Sequence, residues 1–218
     1  MSAAGRVVEV EADRLPGWVA RFADRHGPMR TDLVPADSPD TVVVEAADGA
    51  RAELAIPYGP LPEQQPQDPI EVMVAHLHTP RTLGVLLVRR GGWAVAVVAD
   101  GSVLAADTGG GYVQGTTKAG GWSQQRYARR RGNQTQQVWD RAADGATAVL
   151  RPHASSLSAL VTGGDRAGVA AILDDQRLSH LGQLVEPRFF AIGDPKRAVL
   201  DDVVRRLGSV VITLNELA

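Results

Sequence analysis

The chain has 218 residues, enough for one large or two small domains, with 44% hydrophobic and 22% charged residues, as in ordinary globular proteins. It contains no cysteine, which removes disulfides, thiolate-ligated metal centres and thiol catalysis from consideration. The formal charge of -2 is unevenly spread: residues 108–139 hold five Lys/Arg and no acid, so the remainder carries -7.

In chain order, Arg6–Val10 alternates as a strand. Leu15, Trp18, Val19, Phe22 and Ala23 have helical spacing, which predicts a helix over 15–25 with Pro16 in its first turn. Thr41–Glu45 and Ala52–Pro57 flank Asp48-Gly49, a hairpin signal. Residues 1–58 are therefore expected to form a small βαββ subdomain serving packing or docking, since no polar cluster there suggests chemistry. Residues 59–69 hold four prolines and three glutamines and predict a linker, followed by a short helix over 70–76. The linker and short helix together span 59–79.

The second domain is expected over 80–218. Leu83–Val88, Trp93–Ala99 and Ser102–Asp107 form a predicted three-strand meander with tight turns at 89–92 and at Asp100-Gly101. Gly109-Gly110-Gly111 ends it. The stretch TTKAGGWSQQRYARRRGNQ, from Thr116 to Gln134, then combines a glycine-bearing loop with a basic helix expected to reach about Ala143. Asp144-Gly145 is expected to break that helix before a short helical piece ending near Pro152-His153. A strand over 157–161, a helix over 166–174, a strand over 188–192, a helix over 195–207 and a last strand over 210–214 complete the domain. The fold class expected is α/β (mixed α+β), a central mixed β-sheet with flanking helices plus the small N-terminal subdomain.

Ser123 is a good N-cap, which would start the basic helix at Gln124. Arg126, Arg129 and Arg130 share one helical face, and Arg131 and Gln134 extend it. A merely solvated helix mixes charge signs, whereas the 32-residue window, with none of the roughly 3.7 acids that the chain's average would place in it, lacks acids altogether. Such a face suits phosphate groups of a nucleic acid. Gly120-Gly121 lets the backbone approach a ligand closely.

GGWSQQRYARRR resembles the stretch that begins with the GGQ motif in the middle domain of eukaryotic and archaeal peptide release factors. Gly120 and Gly121 match its glycines, and Ser123, Arg126, Tyr127, Ala128, Arg129 and Arg131 match the positions that follow. The meander before the loop and the alternating strands and helices after it are similar to that domain, whose fold is ribonuclease H-like. The resemblance covers about residues 80–218. Trp122 stands where those factors keep their glutamine, and Gln124 and Gln125 follow two and three positions later. This displaced-glutamine pattern resembles the Vms-like release factors of actinobacterial type, a family of peptidyl-tRNA hydrolases without a codon-reading domain that act in ribosome-associated quality control.

That resemblance implies partners in the ribosomal large subunit, its rRNA and peptidyl-tRNA, and a cytoplasmic location. It implies neither DNA nor membrane as partner, and no cofactor. Gly120, Gly121, Gln124 and Gln125 would be catalytic, with a glutamine positioning water. Trp122 and Ser123 would contact RNA, with Lys118, Arg126, Arg129, Arg130 and Arg131 on rRNA phosphates.

Other chemistries fit less well. A two-metal nuclease needs gathered carboxylates, yet no acid lies between Glu71 and Asp100, and the strand 83–88 carries none. Thr162-Gly163-Gly164-Asp165 precedes a helix but lacks the Gly-Lys-Ser/Thr of a P-loop and predicts a strand-to-helix turn. Of the five histidines (26, 76, 78, 153 and 180), only His76-x-His78 has ligand-like spacing, and it is expected to straddle a helix end. Ser123 has no nucleophile-elbow context. A non-catalytic RNA-binding factor and metal-free cleavage of the tRNA acceptor end remain as alternatives.

Overall fold

The computed structural model describes residues 5–34, 40–61, 68–112 and 122–218, with the side chains of 122–128 outside that description. The chain forms two compact units, Met1–Pro80 with Arg206–Ala218, and Arg81–Arg205.

The first unit is a five-stranded sheet in the order β1-β10-β4-β3-β2, antiparallel throughout. Its strands are β1 (Val7–Glu11), β2 (Met29–Val34), β3 (Thr41–Ala46), β4 (Arg51–Ala55) and β10 (Ser209–Leu214). Two helices pack on it, α1 (Leu15–His26) and α2 (Pro69–Leu77). Leu15, Val19 and Phe22 of α1, with Ile70 and Met73 of α2, are buried against Val42, Val44, Leu54, Val210 and Ile212. Asp48-Gly49 makes the predicted hairpin: Gly49 has φ 87° and the Asp48 carboxylate accepts from the Ala50 amide at 3.0 Å.

Two corrections follow for the N-terminal βαββ subdomain. It has an additional edge strand, β2, whose polar residues Arg30 and Asp32 hide the strand pattern, Arg30 forming ion pairs with Asp32 and with Glu45 of β3. And the last strand of the chain, expected in the second domain, lies between β1 and β4 instead. Val210 and Ile212 are fully buried there and supply core that residues 1–58 lack by themselves. The expected domain limits of 1–58 and 80–218 therefore give way to a first unit built from both ends of the chain.

The second unit is a mixed sheet in the order β7-β6-β5-β8-β9. β5 (Thr82–Arg89), β6 (Gly92–Ala99) and β7 (Ser102–Gly110) form the antiparallel meander, and β8 (Leu157–Gly164) and β9 (Val185–Phe190) add in parallel. β9 begins three residues earlier than the sequence suggests, because Glu186 and Pro187 interrupt its apolar run. Three helices complete the unit: α3 (Trp122–Leu150), α4 (Arg166–Leu173) and α5 (Arg197–Arg205). Leu86, Val88, Trp93, Val95 and Val97 form a core with the C-terminal half of α3 and with Val169 and Ile172 of α4. Among the described residues no helix is long and apolar enough to cross a membrane.

Candidate nucleic-acid interface

The candidate site lies on α3, a single helix of 29 residues that runs through Asp144-Gly145 without a break. The sequence argues for a stop there, since glycine costs a helix interior about 1 kcal/mol relative to alanine. Packing supplies the opposite reason. A Cβ on Gly145 would lie 2.1 Å from the Trp93 ring, and one on Gly109 of β7 would lie 2.6 Å from the same ring. The indole occupies the space of two missing side chains, and α3 approaches β6 closely because position 145 has none.

Further packing fixes this half of the helix. Val138, Ala142, Ala143, Ala146, Val149 and Leu150 are buried against the sheet. Gly168 of α4 admits the Trp139 indole, to which its Cβ would approach within 3.0 Å. Arg177 bridges Asp144 of α3 (Nη1 to Oδ1, 2.9 Å) and Asp175 beyond α4 (Nη2 to Oδ2, 2.7 Å). The guanidinium holds the Asp175 carboxyl down at about 2, and the two carboxylates raise the Arg177 value in turn. None of these anchoring residues stands out in the sequence. Their signal is a set of close approaches between elements far apart in the chain.

The other half of α3 is different. From position 129 to 137 no side chain is buried; Arg129 and Arg130 are exposed, while Arg131, Gln134 and Thr135 are half-buried. The sixteen residues from Trp122 to Gln137 span about 24 Å at 1.5 Å per residue. Gly111, at the end of β7, lies beside Val138 and Arg141. The chain thus leaves the sheet next to position 138 and is described again at Trp122, some 24 Å along the helix axis.

At 100° per residue, positions 131, 135, 138, 142, 146 and 149 follow one line along α3, the line that carries the buried residues. Positions 126, 129 and 130 lie on the opposite side. The basic set is thereby divided: Arg129 and Arg130 face away from the packed stripe, while Arg131 continues it. By the same register position 124 falls on the stripe line, and position 122 falls with 126 and 129.

None of Arg129, Arg130 and Arg131 has an acid partner among the described residues. By contrast Arg197 pairs with Asp201 and Arg205 with Asp202, each at 2.8 Å. Asp140 is the first acid along α3, and it accepts from Gln136 rather than from an arginine.

Of the other predicted residues, Lys118, Gly120 and Gly121 lie outside the described residues, the two glycines directly preceding the helix in sequence. Trp122, Ser123, Gln124, Gln125 and Arg126 occupy the first helical turns, and their side chains lie outside the description. Ser123 is the second residue of α3 rather than its cap, since helical hydrogen bonding already includes Trp122. The first-turn amides of a helix have no intrahelical acceptor, so this end carries partial positive charge.

The turn at 162–165 is closed to phosphate by its own acid. The Asp165 carboxylate caps α4, accepting from the amides of Ala167 at 3.0 Å and Gly168 at 3.4 Å. His76 and His78 turn to different partners, Nε2 of His76 to the Pro57 carbonyl and His78 to the Val74 carbonyl through Nδ1 and to Asp13 through Nε2.

Comparison with known proteins gives one family and a set of distant structures, including two archaeal ones. A family model described as the Actinobacteria/chloroflexi VLRF1 release factor matches residues 81–213. No curated protein matches. The crystal structure of an archaeal translation termination factor, aRF1, is similar at 12% identity and a TM-score of 0.44, over 94% of this chain. A structure described as an archaeal protein is similar at 13% identity and a TM-score of 0.41, over 93% of this chain. This chain spans 65% of the length of each. With the family model covering well over half the chain, from β5 through the basic helix to β10, the chain belongs to the Actinobacteria/chloroflexi VLRF1 release factor family.

Proposed function

We propose that this protein is a codon-independent peptidyl-tRNA hydrolase that frees nascent peptide from tRNA on stalled ribosomes or on large subunits. The observation that carries this is the N-terminal half of α3. It is acid-free, it presents Arg129 and Arg130 opposite its packed stripe, and it begins some 24 Å from where the helix is clamped to the sheet. A rigid arm of that length delivers its tip into a confined ribosomal RNA site while its base remains a folded domain.

In this reading Arg126, Arg129 and Arg130 hold rRNA phosphates as charged, bidentate donors, with Lys118 before the helix and Arg131 beside it contributing charge. Trp122 shares their side of the helix and stacks on a base of tRNA or rRNA. Gly120 and Gly121 let the backbone pass close to the acceptor end. Water attacks the ester carbonyl carbon, the bond to the ribose 3′ oxygen breaks, and the water proton passes to that oxygen. The products are a peptide carboxylic acid and a free tRNA 3′ hydroxyl. A neutral amide is a poor base, so Gln124 acts by positioning the water, with Gln125 second. The free amides of the first turn stabilise the developing oxyanion, and Ser123 contacts RNA.

The test is peptide release from purified ribosomes and from isolated large subunits carrying peptidyl-tRNA. Wild-type protein should turn over repeatedly, and Gln124→Ala with Gln125→Ala should lose most of the rate. Release as fast as wild type by that double variant removes the catalytic assignment. Trp122, in place of the glutamine of eukaryotic and archaeal release factors, motivates a second reading, a non-catalytic ribosome-binding factor, which tight binding without release would establish. Gel analysis of the tRNA 3′ end distinguishes ester hydrolysis from cleavage within the acceptor end.

A further inference from the structure

A second cationic site lies within the first unit and involves no residue of α3. A cavity of about 170 Å³ is lined by Arg6, Trp18, Arg21, Phe22, Arg25 and His26, over a floor that includes Val8 and Leu214. No Asp or Glu side chain is among its lining residues, which also include Ala218 at the C-terminal end of the sequence. The first unit is otherwise acidic, with fourteen Asp/Glu against seven arginines. Four of those arginines are paired: Arg14 with Glu11, Arg30 with Asp32, Arg51 with Glu53, and Arg206 with Glu9. The remaining three, Arg6, Arg21 and Arg25, have no Asp or Glu partner among the described residues, and all three line this one cavity.

That clustering opposes folding electrostatics. Arg21 and Arg25 are four apart on α1, where like charges repel, and Arg6 enters from the start of β1. Acids outnumber arginines two to one in this unit, so ion pairing would be the easy arrangement. An anion bound between the three guanidiniums relieves the repulsion. Beside them lies an aromatic run on one face of α1. Trp18 and Phe22 stack with centroids 5.5 Å apart, and Phe22 and His26 follow at 4.7 Å. His26 is held through Nδ1 by Asp48 at 2.9 Å, which fixes the end of the run. Trp18 is only half-buried, so part of its ring is open to a ligand.

Arginine forks beside an accessible indole are a chemistry for phosphate joined to a flat base. The volume admits more than a water molecule, which needs only about 10–15 Å³. It falls short of the roughly 300 Å³ at which pockets begin to enclose whole drug-sized ligands. We infer that this cavity is a nucleotide-binding site that takes the phosphate of one nucleotide on Arg6, Arg21 and Arg25 and its base against Trp18. The nucleotide is either free or part of a single RNA strand.

Calorimetric titration of the full chain tests this with three probes: AMP, inorganic phosphate and a hexamer of riboadenylate. AMP should bind at one site. Arg21→Gln with Arg25→Gln, both at exposed positions, should weaken AMP and phosphate at least tenfold. Trp18→Leu should weaken AMP severalfold and leave phosphate unchanged. The hexamer is titrated in the Arg129→Glu, Arg130→Glu background, so that α3 does not mask the result. Displacement of AMP by the hexamer identifies RNA as the source; failure to displace it in tenfold excess identifies a free nucleotide. No binding of AMP at millimolar concentration, or binding unaffected by the arginine changes in correctly folded protein, overturns the proposal.

Discussion

Gly145→Ala asks whether the long arm is held as described. On an unpacked helix the change should stabilise, by about 1 kcal/mol, because alanine is the better helix former. Here the new methyl would lie 2.1, 2.5 and 2.8 Å from three atoms of the Trp93 ring. Separations under 3.0 Å do not persist, so the ring or the helix must retreat. The ring has little room to retreat, since it is 5% exposed and also lies close against Gly109. Overpacking of this kind costs about 1–3 kcal/mol, and the severity of the overlap puts it at the upper end. The net expectation is a destabilisation of about 2 kcal/mol, or some 4–8 °C in Tm at about 2–4 °C per kcal/mol for a chain of this size. Urea unfolding followed by far-UV circular dichroism reads it, fitted to the transition of the second unit. The double variant supplies the control. Trp93→Phe removes the colliding atoms of the indole, and in that background Gly145→Ala should be neutral or stabilising. A rise in stability for Gly145→Ala in the wild-type background would refute the reasoning: Gly145 would then be an exposed helix interruption and α3 would not be clamped at Trp93.

Gly132→Ala, in the unpacked half of α3 where no atom lies within 4 Å of the new methyl, should instead stabilise by up to about 1 kcal/mol; a lower urea midpoint would show that this half is packed. Gly164→Ala should destabilise by at least about 1–3 kcal/mol, because its φ of 95° is unsuited to a side chain and the methyl would meet the Val88 carbonyl oxygen at 2.1 Å; an unchanged midpoint counts against this. Arg129→Glu with Arg130→Glu should weaken ribosome cosedimentation and flatten its salt dependence, by about one unit of log–log slope for each phosphate that is no longer neutralised. Arg131→Ala should act more on stability, and equal weakening of binding by either change would place Arg131 on the RNA-facing side. His78 should titrate above its ordinary 6.5, mainly because Asp13 accepts from Nε2 and secondarily because the Val74 carbonyl accepts from Nδ1, an arrangement that needs both nitrogens protonated. With a raised folded value, its contribution to stability is complete below 6.5 and is lost as pH rises through the folded value. Proton NMR of the imidazole should show this, with Asp13→Asn bringing the titration back toward 6.5; a midpoint at or below 6.5 in the wild type contradicts it.

Local chemistry along the chain determined a good deal. Strands β5 and β6 are written in unbroken apolar runs, and Asp48-Gly49 and Asp100-Gly101 mark hairpin turns because both glycines take positive φ. The acid-free window around Arg126–Arg131 marked the candidate interface, since an excess of one charge sign needs no fold to be recognised. Tertiary structure alone decided three things. It took the strand 209–214 out of the second unit and set it between β1 and β4, because strand pairing is chosen by which buried faces meet and not by nearness in sequence. It carried α3 through Asp144-Gly145, where the missing Cβ that weakens a helix also lets it close on Trp93. And it brought Arg6, from a strand, beside Arg21 and Arg25, from a helix, around one cavity. Helical register sorts neighbours within one element, but convergence of side chains from separate elements is fixed only when their cores pack.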